Sequence, residues 1–136
     1  MNLEKDVDNW LIHSQKDLES ANVLYENKLY SQALYHAQQS NEKLVKALLL
    51  QIGVLKTDIT PDNFQIKLLL GFSPKPPSRY RHRTIQPFLS DLKKFTIAIQ
   101  EIVESLKKYK MDEKMVEFQK SIKRSNSFWL ELTIFI

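Results

Sequence analysis

A chain of 136 residues, 43% hydrophobic and 26% charged, is long enough for one domain with a real core and too short for two, so residues 1–136 are read as a single domain. It has no cysteine, which excludes disulfides and thiolate metal sites and suits a reducing cytosol. Its net charge of +4 at a pI near 9.2 excludes a strongly acidic chain and directs attention to where the bases lie.

Glycine occurs only twice and strand-like alternation is nearly absent, whereas apolar residues recur at steps of three and four throughout. The spacing predicts a first helix over about 4–26, with Val7, Trp10, Leu11, Ser14, Leu18, Ala21, Leu24 and Tyr25 facing inward. A second helix is predicted over about 30–52. It buries Tyr30, Ala33, Leu34, Ala37, Leu44, Val45, Leu48 and Ile52, and Gly53 serves as its C-terminal stop. Asn41 falls inside that apolar stripe, as a specificity device at a dimer seam or as a core residue bonded to a backbone group, the second being favoured.

A short third helix begins at "TPDN", where Thr60 can cap and Pro61 suits the first helical position, and it stops at Gly71. The segment "FSPKPPSRYRHRT" follows, and its three prolines hold the chain extended. A fourth helix over about 85–110 has the cleanest pattern: Ile85, Phe88, Leu89, Leu92, Phe95, Ile99, Ile102, Val103, Leu106 and Tyr109. The fifth, from about 112, shows Met115, Phe118, Ile122, Trp129, Leu132 and Ile136, with Ser125 and Asn126 weakening its middle. Four long amphipathic helices and one short one predict an all-α, up-and-down helical bundle.

The charge pattern gives the bundle a candidate face. Residues 1–60 carry 6 basic and 8 acidic groups and residues 61–136 carry 14 and 8; between Lys75 and Lys94, 6 bases accompany one acid, Asp91. A local excess of that size points to an anionic partner. Its centre is "SRYRHRT", where Arg79, Tyr80, Arg81, His82 and Arg83 interleave cations with rings, a mixture suited to phosphate contact and to stacking on unpaired bases. The bland alternative is a flexible basic loop. On the second helix His36, Gln39, Lys43 and Lys46 step by three, four and three, which sets them in one polar stripe able to meet phosphate or bases. Here the alternative is an ordinary solvated helix face, with Glu42 and Lys46 forming a helical ion pair. His13 is expected at the surface. The three histidines lack HxxxH spacing, so no metal and no cofactor is expected; there is likewise no phosphate-binding glycine loop and no nucleophile elbow.

The stretch "WLIHSQKDLESANVLYENKLYSQALYHAQQSNEKLVKALLLQIGV" resembles the opening of a HEPN domain of the short prokaryotic type. The likeness rests on Trp10, the Asp17-Leu18 pair, Ala21, Leu24, Tyr30, Ala33, "HAQQ" at 36–39, Glu42-Lys43 and Lys46-Ala47, and spans about 45 of the 136 residues. The Arg79-Tyr80 step before a long helix adds a weaker match. The resemblance implies a helical bundle, usually a homodimer, from a family of endoribonucleases, toxins paired with small nucleotidyltransferases, and non-catalytic nucleotide- or RNA-binding relatives.

One departure bears on activity. Catalytic members place a His after an Arg with four to six residues between them, and no Arg of this chain stands at that spacing before His13, His36 or His82. Arg79 and His82, with two residues between them, are the nearest pair that could supply a cation and a proton-transfer group. The expected function is therefore a nucleotide- or RNA-binding interaction module, acting beside a separate small nucleotidyltransferase in a toxin-antitoxin-like pair. The alternatives are a metal-independent endoribonuclease toxin using Arg79 and His82, and a structural bundle with no nucleic-acid role. The apolar fourth helix and the terminal "FWLELTIFI" suggest a homodimer. That terminal patch is far short of the roughly 20 residues of a membrane span, and "MNLEKDVDNW" has no signal-peptide core, so a soluble cytoplasmic protein is expected.

Overall fold

The computed structural model describes residues 3–55 and 112–135 and, between them, 86–88, 90, 91, 94, 97, 99–101 and 104. All of these are helical except Asn27, Lys28 and Leu29, and no strand occurs among them, so the fold is all-α. Three helices have defined bounds: α1 (Leu3–Glu26), α2 (Tyr30–Leu55) and α3 (Asp112–Phe135). The predicted short helix over 60–71, the proline-rich connection over 72–84 and the side chains of Met115, Trp129, Leu132 and Ile136 lie outside the described residues, as do most apolar positions of the fourth predicted helix. Among the described residues no helix is long and apolar enough to cross a membrane.

The pairing of α1 with α2 organises the fold. Glu4 and Asp6 in the first turn of α1 complement the positive end of its dipole. At its other end, Lys28 N–H donates to the Tyr25 carbonyl (3.0 Å) and Leu29 N–H to that of Leu24 (2.9 Å). These are the two bonds of a Schellman cap, with Lys28 in its left-handed position at φ 62°. The Leu29 carbonyl then accepts from Ala33 N–H at 2.9 Å and opens α2. So tight a reversal leaves the two helices antiparallel and in contact along their length.

Small side chains let them approach closely. Ala21, Ala33 and Ala37 are fully or almost fully buried, and Ser14 and Ser40 face one another across the interface. Ser14 Oγ donates to the Ser40 carbonyl (2.8 Å) and Ser40 Oγ to the Ser14 carbonyl (2.7 Å), so each hydroxyl is satisfied by the other helix's backbone. The inward positions predicted for α1 and α2 are all buried or half-buried. At the turn end, Leu18, Ala21, Ala33, Leu34 and Ala37 form one cluster with Phe88 and Phe128, and Leu24 and Tyr25 pack against it. The Tyr25 ring lies edge-on to Tyr30 (5.5 Å) and to Phe128 (5.9 Å). Burial, assisted by the Glu131 carboxylate and Tyr30, raises the pKa of its phenol above the ordinary 10.0.

α3 runs parallel to α1: Lys114 pairs with Asp8, Gln15 Nε2 reaches Ser121 Oγ at 3.4 Å, and Phe128 meets Tyr25. Phe118 and Ile122 bury their side chains, as do Phe88 and Ile99 from the 86–104 segment. Since Phe88 joins the turn-end cluster, that segment starts beside the α1–α2 turn and descends.

Three sequence expectations are corrected. Gly53 does not stop α2, which continues to Leu55; the residue has no positive φ, and a Cβ added there would meet nothing within 4 Å. Asn41 is buried, yet its partner is a side chain and not backbone: Ser125 Oγ donates to Asn41 Oδ1 at 2.8 Å. For the same reason Ser125 does not weaken α3, which is unbroken there; its hydroxyl ties α3 to α2.

Two stability measurements follow from this geometry. Among the described residues Asn41 Nδ2 is buried and has no partner, so Ser125→Ala would remove the amide's one hydrogen bond to a described residue and cost about 1–3 kcal/mol in urea unfolding, whereas Asn41→Leu with Ser125→Ala should restore wild-type stability or better. A Ser125→Ala protein as stable as wild type would refute the bond's role. Lys28→Gly relieves a left-handed side chain and should raise stability by about 1 kcal/mol, read as a shift in midpoint at unchanged slope.

Candidate nucleic-acid interface

Of the residues singled out in the sequence, His36, Gln39, Lys43 and Lys46 are described and lie on α2; Arg79, Tyr80, Arg81, His82 and Arg83 lie outside the described residues. The α2 residues share one edge of the hairpin, as three- and four-residue steps require. None is buried: Lys46 is exposed and the other three are half-buried. His13, on α1, is exposed as expected.

Each of the four is held by a neighbour. Lys43 Nζ donates to Asp17 Oδ2, and His36 Nδ1 stands 3.3 Å from Asp17 Oδ1, so one carboxylate on α1 receives two donors from α2. Its side chain is only 15% exposed, against 26% for Lys43 and 36% for His36, which places the anion behind the cations. Partial burial strengthens this interaction relative to a fully solvated pair, whose worth is about 0–1 kcal/mol. With Nδ1 engaged, Nε2 is the ring nitrogen of His36 left to meet solvent or a ligand.

Lys46 places its ammonium 4.6 Å from the centre of the Trp10 ring, a cation–π contact worth about 0.5–1 kcal/mol at such a site. The expected Glu42–Lys46 ion pair is not formed. Glu42 Oε1 accepts instead from Gln38 Nε2 at 2.7 Å, and Gln38 Oε1 accepts from Gln39 Nε2 at 3.0 Å. This relay fixes the Gln39 amide and leaves its oxygen as an acceptor beside the cations. Tyr35, more than half exposed, lies edge-on to His36 with ring centres 5.4 Å apart.

Sequence reasoning missed two members of this edge. Asp17 entered only as part of a resemblance, although the register of an antiparallel pair with Ser14 against Ser40 already brings it opposite α2's polar stripe. Tyr35 carried no signal beyond being an aromatic residue off the apolar stripe.

Elsewhere, a groove of about 500 Å³ runs between α1 and α3. Neutral Ser14, Gln15, Asn22 and Ser121 line it, and the cations Lys123 and Arg124 are balanced by Glu19 and Glu131. It offers no net attraction for an anion. Among the described residues no three His, Asp or Glu gather as a metal site.

Together the α2 edge can do two things. It presents cations and a histidine nitrogen in fixed positions, and it sets an exposed ring beside them, which is the pairing of phosphate donor and stacking surface used on unpaired nucleotides. No curated protein and no solved structure matches the chain. The family model of the HEPN domain does match, over residues 7–59. That match takes in most of the α1–α2 hairpin, with Asp17, His36, Gln39, Lys43 and Lys46 along one edge, so over this stretch the chain is similar to a HEPN domain.

Proposed function

We propose that the protein is a nucleotide- or RNA-binding module that works as a homodimer in the cytoplasm, beside a separate small nucleotidyltransferase in a toxin-antitoxin-like pair. The observation that carries the binding role is the α2 edge itself: Lys43 and His36 converge on one point, Lys46 follows one turn on, and Tyr35 flanks them with an exposed ring. The arginine-rich stretch Arg79, Tyr80, Arg81, His82 and Arg83 supplies a second set of phosphate donors and a stacking ring. The two sets are different in kind. Lys43 and His36 are tied to a carboxylate and bind in fixed geometry, whereas the arginines add charge and set the salt dependence. The partner and the dimer rest on the HEPN match at residues 7–59, since they are features the family resemblance implies.

A ribonuclease reading has less support. It would need the proton-transfer group and the cation to sit together, and the chain lacks the Arg and His spacing that family members use for that purpose.

Fluorescence anisotropy with single-stranded RNA across a salt series tests the binding role. Replacing Arg79, Arg81 and Arg83 by alanine should weaken binding and flatten the plot of log affinity against log salt by roughly 0.7 per lost phosphate contact. An unchanged slope means that the loop is merely solvated. In the same samples His82→Ala should bind as wild type does at pH 8. RNA cleavage by the wild-type protein that this variant loses would replace the binding module with the endoribonuclease.

A further inference from the structure

The cationic edge of α2 already contains an anion. Lys43 and His36 direct donors to the two oxygens of Asp17, a carboxylate that α1 carries and that stands further from solvent than either donor. Any phosphate that reaches Lys43 and His36 must therefore bind against that carboxylate or take its donors away. Taking them would leave Asp17 charged and largely buried without a partner, a costly state.

Resting on the phosphate-binding role above, we propose that Asp17 is a built-in competitor that reserves this edge for terminal phosphate monoesters and rejects the internal phosphodiesters of a nucleic-acid backbone. A backbone phosphodiester carries one negative charge and offers two free oxygens, so it replaces Asp17 with its equal and gains nothing for the displacement. A terminal phosphate carries between one and a half and two charges near neutral pH and three free oxygens, about the excess needed to displace a carboxylate or to bridge Lys43 and Lys46 beside it. Among the described residues the charged groups at the edge that enter this balance are Asp17, His36 and Lys43 themselves, Lys46 on the Trp10 ring, and Glu42, which Gln38 occupies. The ligand class is thus a nucleoside 5′-phosphate or the 5′-phosphorylated end of a strand.

The test compares one RNA oligonucleotide with a 5′-phosphate or a 5′-hydroxyl, by anisotropy at low salt, on wild type, Asp17→Asn and Lys43→Met. Wild type should favour the 5′-phosphate by about tenfold, the size of one further partly screened charge contact. Asp17→Asn, which keeps the side chain's shape, should tighten the 5′-hydroxyl strand by a similar factor, and Lys43→Met should erase the wild-type preference. Equal wild-type affinities, or a folded Asp17→Asn that binds both strands more weakly, would overturn the proposal; the second result makes Asp17 a positioning residue only. Circular dichroism and melting establish folding, and should Asp17→Asn not fold, wild type against Lys43→Met decides the matter alone. Displacement of the phosphorylated strand by 5′-AMP assigns the edge to free nucleotides. A persisting 5′-phosphate preference without such displacement assigns it to strand ends, and both support the competitor. Binding of neither strand to wild type sinks the nucleic-acid role itself, whereas equal binding that still depends on Arg79, Arg81 and Arg83 leaves that role standing and removes only Asp17's part in it.

Discussion

Two serine hydroxyls tie the two helices of the hairpin together. Ser14 and Ser40 each donate to the backbone carbonyl of the opposite helix, a reciprocal pair that a larger side chain would pry apart and an apolar one would leave unmade. Because the hydroxyls are spent on backbone, they add no unpaired polar group to the interface, and because they are small, α1 and α2 can lie close enough to bury Ala21, Ala33 and Ala37 almost completely. The fixed register then determines everything along the hairpin edge. With Ser14 against Ser40, Asp17 meets α2 between His36 and Lys43, and Trp10 meets it at Lys46. A slip of one turn at the serines would separate all three pairs.

The third helix is attached by different means. Phe118, Ile122 and Phe128 supply apolar anchors, but between them Ser121 and Ser125 contact Gln15 and Asn41 through hydrogen bonds. Buried polar pairs contribute little net stability, and their value lies in penalising wrong registers, since a displaced α3 would strand the Asn41 carbonyl and the Ser125 hydroxyl. Among the described residues Asn41 Nδ2 and Gln51 Oε1 are buried and have no hydrogen-bond partner. Both residues lie on α2, whereas the edge that carries the proposed site is backed by the buried serines and alanines of the α1–α2 interface.

Much of this was legible in the residues. Helices expected over 4–26, over 30–52 and from 112 appear as Leu3–Glu26, Tyr30–Leu55 and Asp112–Phe135, and Val7, Leu11, Ser14, Leu18 and Ala21 are all inside. The successes share a cause: helical periodicity is a property of one element and is written locally. The failures share one too. Gly53 was read as a stop because glycine favours left-handed caps, but its own backbone is helical and nothing in its neighbourhood demands otherwise. Asn41's partner could not be named because it arrives from a helix 84 positions away. Glu42 and Lys46 have good spacing for a pair, and each found a stronger claim, Gln38 for one and the Trp10 ring for the other. Of the candidate site, the α2 stripe was visible as a spacing, while the carboxylate that governs it was not, because Asp17 belongs to the other helix.

That carboxylate changes what the stripe means. Counted along the sequence, His36, Lys43 and Lys46 form a basic row, and a basic row attracts any polyanion. Counted in space, one negative charge sits among them and is better shielded from water than they are. Attraction at long range is set by the summed charge, to which the sequence adds the arginines of the 79–83 stretch. Retention at contact is set by whether the newcomer is a better partner for Lys43 than the anion already there. Under the proposed role the two tasks would fall to different residues, and the carboxylate at the hairpin edge is held in place by the same serine-locked register that folds the helices.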